Sequence, residues 1–398
     1  MIETIRALAK QFYPDVIRLR RLIHSNPELA FEEVETAQLV CETLARLDIP
    51  FETGVAKTGV VATLRGAAPG PTLLLRADMD ALPITEATGL KYASRNPGKM
   101  HACGHDAHTS SLLGTAMILH QIRDQLPGTI RFVYQPSEER LPGGAKAMIE
   151  AGILNTPAPK ATFAQHVRPT LPAGTIGVRR GMFMASAEEI YITVKGGGGH
   201  AAEPHKLPND VVLATAHIIV ALQAVVSRHA APDVPTVLSF GRVNADGATN
   251  VIPDQVRVEG TFRTMDESWR FRAHDLIRRV ATHTALAHGA VAEMDIRLGY
   301  PALVNDPESA ALCREAAIEY VGPDNTVDLD PWFASEDFAY FLRNVPGALY
   351  LLGVGDDTEQ RALHTPRFTV NEKSLETGPG FMAYLAWKYL HRHAAAYS

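Results

Sequence analysis

The chain of 398 residues is 46% hydrophobic and 21% charged, with a formal net charge of −6 at neutral pH. This length exceeds what one hydrophobic core usually serves and predicts two domains, and the composition is ordinary for a soluble globular enzyme. The negative charge, without a lysine- or arginine-rich run, argues against a nucleic-acid surface. We expect no stretch to reach the length of a membrane span, and we expect no signal peptide. The three cysteines form no disulfide framework, so a reducing cytoplasm is the expected location.

The first part of the chain predicts helices and strands in alternation. An amphipathic N-terminal helix is broken by Pro14, and Asn26 with Pro27 opens a second helix. Strands are predicted at residues 59–65, 72–76, 128–134 and 161–167, with a helix over residues 109–126. The later strands run directly into polar residues, as buried strands do when they deliver side chains to the edge of a layered sheet. The pattern indicates an α/β sheet with one chemically active edge.

A different order begins near Glu189. The sequence there predicts strand, helix, strand, strand, helix and strand, which is the ferredoxin-like arrangement of a small domain. Because helix and strand-end chemistry return after Tyr300, this domain is predicted to be an insertion. The expected fold class is therefore α/β, with a layered mixed sheet and helices on both faces over residues 1–184 and 300–398. A ferredoxin-like α+β domain over residues 185–299 interrupts it.

The stretch MHACGHDAH, at residues 100–108, places three histidines, a cysteine and an aspartate close together. Thiolate, imidazole and carboxylate groups bind borderline-soft divalent cations such as zinc. Cys103 and His105 stand one residue apart, so both side chains can lie on one face of a turning backbone, and Gly104 lets that backbone pass close to an ion. For any one of these residues alone, a surface histidine or a buried cysteine is the simpler interpretation. A metal site needs three or four ligands, so other segments must contribute.

Further candidate ligands and acids follow the predicted strands: Asp78, Asp80, Glu138, Glu139, His166, Glu336, Asp337 and His364. The adjacent carboxylates of Glu138 and Glu139 can take different tasks, one binding a cation and the other facing a substrate. A carboxylate beside a metal-bound water can accept its proton, while the metal lowers the pKa of that water. Taken alone, such a pair is typical of an exposed turn. Its predicted position on the same edge as Cys103 and His105 supports a role in the site.

Several motifs together carry a family resemblance: MHACGHDAHT, QPSEE, GGGGHAAEPH, NVIPD, GTFRT, SEDFAYF and LHTPRF. In this order they resemble the di-metal amidohydrolases of the aminoacylase and carboxypeptidase family. The most similar branch contains hippurate hydrolases, N-acyl-amino-acid amidohydrolases and plant indole-acetyl-amino-acid hydrolases. The resemblance extends from about Arg20 to near the C-terminus. It implies a catalytic domain interrupted by a lid domain that also forms a homodimer or homotetramer.

The resemblance also implies roles for individual residues. Two divalent ions (zinc, manganese, cobalt or nickel) would be bound by Cys103, His105, Glu139, His166 and His364, with Cys103 between them. Glu138 would be the general base. Where more distant members have a histidine two residues before an aspartate, this chain has Asp78 and Asp80, which we interpret as groups that orient ligating imidazoles. His101 and His108 are expected to support the site or to lie at the surface.

In the inserted domain, the resemblance implies that His200 reaches the partner subunit's active site and stabilises an oxyanion. Asn250 and Arg263 match positions that bind the oxygen and the carboxylate of a substrate. The implied reaction is hydrolysis of the amide bond of an N-acyl amino acid, or of a short peptide with a free carboxylate. Two alternatives stay open at this point: an aminopeptidase or dipeptidase of the same fold, and a non-catalytic metal-binding relative. The basic side chain of Arg263 favours a carboxylate-bearing substrate.

Overall fold

The structure is a computed structural model that describes residues 1–356 and 361–397. Two compact units make up the chain. The first comprises Met1–Gly181, Val304–Asp330 and Asp337–Ser398, and the second comprises Met182–Leu303 and Pro331–Glu336. Each unit buries a hydrophobic core of its own.

The α-helices and strands of the described residues have the following bounds. The helices are α1 (Ile2–Ser25), α2 (Val34–Arg46), α3 (His105–Gln121), α4 (Gly144–Glu150), α5 (Val211–Ala224), α6 (Glu267–Ala287), α7 (Pro307–Val321), α8 (Ala339–Leu342) and α9 (Ser374–His393). The first strands are β1 (Phe51–Val55), β2 (Gly59–Arg65), β3 (Ala68–Asp78), β4 (Pro127–Gln135), β5 (Ala161–Pro172), β6 (Ile176–Val178), β7 (Gly181–Met184) and β8 (Glu188–Lys195). The later strands are β9 (Gly199–His200), β10 (Thr236–Asn244), β11 (Val251–Ile252), β12 (Gln255–Thr264), β13 (Val291–Leu298), β14 (Leu303–Asn305), β15 (Thr326–Asp328) and β16 (Gly347–Gly355).

An eight-stranded mixed sheet organises the first unit, within the described part of the chain. Its strand order is β1-β2-β4-β3-β5-β16-β6-β15. The central strand β3 runs parallel to both β4 and β5, and β5 runs parallel to β16. Every residue of β3 from Pro71 to Asp78 is buried, which explains its nearly continuous apolar sequence. The α/β fold class predicted from the sequence is confirmed.

The second unit contains an antiparallel sheet with the order β10-β12-β8-β13. Together with α5 and α6, these strands follow the predicted order of strand, helix, strand, strand, helix and strand. Asp210 caps α5 by accepting the backbone N–H groups of Val212 and Leu213, and Asp266 caps α6 by accepting that of Trp269. Each helix therefore begins where a carboxylate satisfies its free N–H groups.

One helical segment, Val211–His229, is long and apolar enough to cross a membrane by length and composition. The expectation that no stretch would reach this length is therefore wrong. The physical reason lies in the core of the second unit, where Val211, Ala214, Ile218 and Leu222 form the buried face of this helix. A single helix of this kind is weak evidence for a membrane, because core helices have the same composition.

Candidate active site and metal centre

The carboxyl ends of parallel strands bring the predicted site residues of the first unit together. Strand β3 ends at Asp78, which is the register partner of Gln135, the last residue of β4. Glu138 and Glu139 follow Gln135 after a short turn, and His166 lies within β5. Because parallel strands end at the same edge of a sheet, residues far apart in sequence meet there.

Cys103 and His105 enter this edge through a tight turn at the start of α3. Gly104 stands between them with a φ of 88°, a left-handed conformation that favours glycine. A Cβ atom at this position would lie only 2.4 Å from Cγ2 of Val167. The glycine is therefore required by both backbone conformation and packing, and it lets both side chains approach β5.

The five predicted ligands lie in one cluster, which we call the ligand cluster: Cys103, His105, Glu139, His166 and His364. The Cys103 Sγ atom lies 3.5 Å from Nε2 of His166 and 3.3 Å from Nε2 of His364. The Glu139 Oε1 atom lies 3.2 Å from Nε2 of His364 and 3.9 Å from Nε2 of His105. Glu138 joins the same group, because one of its oxygens lies within 4.8 Å of ligand atoms of His105 and Glu139.

Hydrogen bonds set which imidazole nitrogens are available. The His166 Nδ1 atom lies 2.8 Å from the carbonyl oxygen of Val167. It donates there, so in the neutral ring the Nε2 atom that faces Cys103 carries the lone pair. His108 differs, since its Nε2 accepts the backbone N–H of Val167 at 2.9 Å and its Nδ1 donates to Asp78 at 2.6 Å. Both nitrogens of His108 are occupied, and this buried residue supports the ligand cluster without belonging to it.

Asp80 holds the carboxylate pair and one imidazole at the same time. Its Oδ1 and Oδ2 atoms accept the backbone N–H groups of Glu138 and Glu139, each at 2.9 Å. Its Oδ1 atom also lies 3.3 Å from Nδ1 of His105. Asp80 thus occupies the orienting position that we predicted for it. Asp78 binds His108 at hydrogen-bond distance and stands 3.8 Å from Nε2 of His105.

The electrostatics of the cluster favour a cation. Burial opposes a charged His105, but Asp78, Asp80 and Glu139 outweigh it and raise the pKa of this imidazole to about 10. Burial raises the pKa of the Cys103 thiol, and the neighbouring Glu139 and Glu138 raise it further. The buried Nε2 atom of His105 has no hydrogen-bond partner within the described residues. A thiol, imidazoles and carboxylates are the donor set of a borderline-soft divalent ion, so the residues present fit such a metal.

His364 approaches the cluster from a different segment, after β16. Its backbone N–H donates to the carbonyl oxygen of Ala102 at 2.8 Å, and its φ of 60° lies in the left-handed region that is uncommon for residues other than glycine. Its side chain is 54% exposed, whereas that of Glu139 is only 12% exposed. His364 therefore forms the solvent side of the ligand cluster.

The residues predicted to contact substrate or oxyanion, His200, Asn250 and Arg263, lie in the second unit. His200 is exposed and stands in β9, where it is the register partner of Val251, next to Asn250. The His200 Nδ1 atom accepts the backbone N–H of Ala202 at 3.1 Å, so in the neutral ring the proton lies on Nε2. Arg263 lies in β12, donates to the carbonyl oxygen of Phe333 at 3.1 Å, and has its pKa lowered by burial.

Sequence reasoning missed the buried polar residues that hold the site from behind. Glu33 accepts the backbone N–H of Ser137 at 2.8 Å, while Arg76 and Gln135 bind the carboxylate of Asp337. A charged residue at the end of an otherwise apolar strand was a usable signal for Arg76. Glu33 and Gln135 carried no such signal, because their partners are 104 and 202 residues away.

A carboxylate pair, of which Glu138 is buried and Glu139 is 12% exposed, lies beside thiol and imidazole groups at the strand-end edge of a mixed sheet. This arrangement suits metal-dependent hydrolysis. The profile of Peptidase family M20/M25/M40 matches residues 74–388. This match covers well over half of the chain, and the chain belongs to that family. The resemblance drawn from the sequence motifs is confirmed.

Individual relatives agree with this assignment. An N-acetylcysteine deacetylase from Bacillus subtilis is 41% identical over 382 residues, which cover 95% of this chain and 97% of that protein. An IAA-amino acid hydrolase from Arabidopsis thaliana is 38% identical over 392 residues, and the alignment covers 96% of this chain and 89% of that protein. The crystal structure of a dinuclear metal-binding M20 peptidase from Bacillus subtilis is 38% identical, with a TM-score of 0.84. The aligned part covers 96% of the present chain and 99% of the chain in the crystal structure.

We expect Asp80→Asn to weaken metal binding by about 10- to 100-fold, the usual effect of losing a group that orients ligands. In the wild type, the two oxygens of Asp80 accept the backbone N–H groups of Glu138 and Glu139. In Asp80→Asn, an amide N–H would face one of these N–H groups instead of an acceptor, so the carboxylate pair and His105 would shift. Competition with a chromophoric chelator measures the affinity. Asp328→Asn, which changes an exposed carboxylate paired with Arg314, is the matched control. Equal affinities in the two variants would contradict the role of Asp80.

Proposed function

We propose that the protein hydrolyses the amide bond of N-acyl amino acids, or of short peptides with a free carboxylate. Two divalent ions would be held by the ligand cluster of Cys103, His105, Glu139, His166 and His364. The observation that carries this proposal is that Glu138 stands beside that cluster in a buried position, 7% exposed. The names of the deacetylase and the IAA-amino acid hydrolase support the substrate class, because both act on an acyl group joined to an amino acid or its derivative.

Glu138 is assigned the role of general base and then general acid. Bound metal ions supply Lewis acidity toward the amide carbonyl and lower the pKa of water in the site. Glu138 accepts a proton from the attacking water and later delivers it to the leaving amine. Its Oε1 atom accepts the backbone N–H of Asp337 at 3.4 Å, and its own N–H is held by Asp80. Both contacts restrict where the carboxylate can point.

The second unit is assigned substrate recognition. The Nε2–H group of His200 is a donor for the developing oxyanion, and we assign it to the active site of a partner subunit. Asn250, whose carbonyl oxygen accepts the backbone N–H of Ala201 beside His200, binds a substrate oxygen. Arg263 binds the substrate carboxylate, which favours this substrate class over peptides recognised by a free α-amine.

Metal removal provides the first test. The chelated protein should be inactive toward a panel of N-acetyl, N-benzoyl and indole-acetyl amino acids, and restoration with zinc, manganese, cobalt or nickel should return activity. Elemental analysis should find about two ions per chain after reconstitution. The same panel with the carboxylate replaced by an amide serves as the control for the role of Arg263. Activity that survives complete removal of metal would exclude this mechanism.

The two adjacent carboxylates should give different phenotypes. We expect Glu138→Gln to keep both ions and to lose turnover by roughly two to four orders of magnitude, because a general base is absent. Glu139→Gln should release metal, since Glu139 lies against His364 and His105 in the ligand cluster. Elemental analysis and single-turnover kinetics on both variants measure these outcomes. Identical behaviour of the pair would show that the division of roles is wrong.

His200→Ala should lower turnover by roughly a hundredfold without releasing metal, because an oxyanion donor is lost. Mixing this variant with Glu138→Gln, under conditions that exchange subunits, should restore part of the activity, since one site of a mixed dimer keeps both groups. His205→Ala, which changes an exposed histidine of the same unit, is the matched control. Mixed dimers that regain no activity would place His200 in the active site of its own subunit.

A further inference from the structure

A buried ionic network lies behind the candidate active site. Its centre is Arg76, near the end of β3, whose side chain is 1% exposed, and its two carboxylates, Asp78 and Asp337, are fully buried. The three guanidinium nitrogens bind three different acceptors. Nε donates to Gln135 at 2.8 Å, one terminal nitrogen donates to Asp78 at 2.6 Å, and the other donates to Asp337 at 2.7 Å. We call Arg76, Asp78, Gln135 and Asp337 the Arg76 network.

One side of the Arg76 network leads to the proposed base. Gln135 donates its amide Nε2–H to the Asp337 carboxylate at 2.8 Å, and the backbone N–H of Ala145 donates to the same carboxylate at 3.0 Å. Asp337 is therefore fixed by a guanidinium, an amide and a backbone donor. Its own backbone N–H in turn donates to Oε1 of Glu138. A shift of Asp337 would move the contact that orients Glu138.

The other side of the network leads to a proposed metal ligand. The Asp78 carboxylate that binds Arg76 also accepts the Nδ1–H of His108 at 2.6 Å. His108 accepts the backbone N–H of Val167, whose carbonyl oxygen accepts the Nδ1–H of His166. Hydrogen bonds thus connect Arg76 with His166 on one side and with Glu138 on the other.

We propose that Arg76 is a positioning residue that fixes the orientation of Glu138 relative to the ligand cluster. The proposal rests on the proposed function, because it takes Glu138 as the base. A planar guanidinium is suited to this role, since it presents N–H groups in fixed directions to acceptors on three sides. The alternative role is charge compensation alone, in which any buried cation between Asp78 and Asp337 would serve.

Arg76→Lys separates these two roles. Lysine keeps the positive charge but offers a single nitrogen on a flexible chain, so it cannot reach the acceptors on three sides at once. We expect the purified variant to fold and to bind two metal ions, with kcat lowered by about ten- to a hundredfold, because small misplacement of a reacting group is costly. KM should stay within about twofold, because Arg76 is assigned no contact with substrate.

Arg131→Lys is the matched control. Arg131 is also a buried arginine in the same sheet, on β4, but its terminal nitrogen donates to the carbonyl oxygen of Ile153, outside the ligand cluster. Circular dichroism, thermal unfolding and metal content are measured for both variants before kinetics. We expect Arg131→Lys to be less stable than the wild type but to keep the wild-type kcat per metal-loaded site. An equal fall of kcat in the two variants would overturn the proposal.

Gln135→Met provides a second measurement that leaves the buried charges unchanged. It removes the acceptor of Nε and a donor to Asp337 while nearly keeping side-chain volume. We expect kcat to fall about tenfold with metal content and KM unchanged. Wild-type kcat in Arg76→Lys or in Gln135→Met would overturn the positioning role. An inactive wild-type protein with both ions bound would instead overturn the proposed function, so the two failures are distinguishable.

Discussion

Three consecutive backbone N–H groups, those of Ser137, Glu138 and Glu139, donate to two buried carboxylates, and the candidate site depends on this interaction. Strand β4 has ended at Gln135, so these groups have left the ladder of the sheet and need other acceptors. Glu33 accepts the first, and Asp80 accepts the other two. The turn is irregular, with a φ of 52° at Ser137. Such a backbone can bring two adjacent carboxylates to the same cluster, whereas a regular strand would point them to opposite faces of the sheet.

Buried carboxylates are costly unless cations or donors compensate them, and the first unit uses both. Burial raises the pKa of Glu33 to about 7, although its hydrogen bonds with Thr58 and Ser137 oppose that rise. Burial opposes ionisation of Asp78 as well, but His105 and Arg76 outweigh it and hold its pKa well below the usual range. Asp78 is thus kept ionised by specific partners. Its carboxylate lies 3.8 Å from Nε2 of His105 in the ligand cluster.

The fold class and the meeting of the candidate residues could be predicted because they follow from local patterns. Apolar strands that end in acidic residues or histidine predict a common edge, and the structure has β3, β4 and β5 in that arrangement. Strand β1 was missed, since its sequence FETGV is mostly exposed and lacks an apolar alternation.

The partners of individual acids could not be predicted from the sequence. Asp78 and Asp80 are two residues apart, yet one binds His108 and Arg76 while the other binds the backbone of Glu138 and Glu139. These partners are set by strand register and by contacts between distant segments, which one sequence does not reveal.

The glycine run before His200 has a packing explanation, which the structure supplies and the sequence alone did not. A Cβ atom at Gly198 would lie 2.7 Å from the carbonyl oxygen of Ile252, and one at Gly196 would lie 2.0 Å from Oδ1 of Asn209. The run lets β9 lie close against β11 and against the segment that precedes α5. Close backbone approach is a common reason for glycine in a strand. The backbone position of His200 beside Asn250 therefore follows from close packing on both sides of the glycine run.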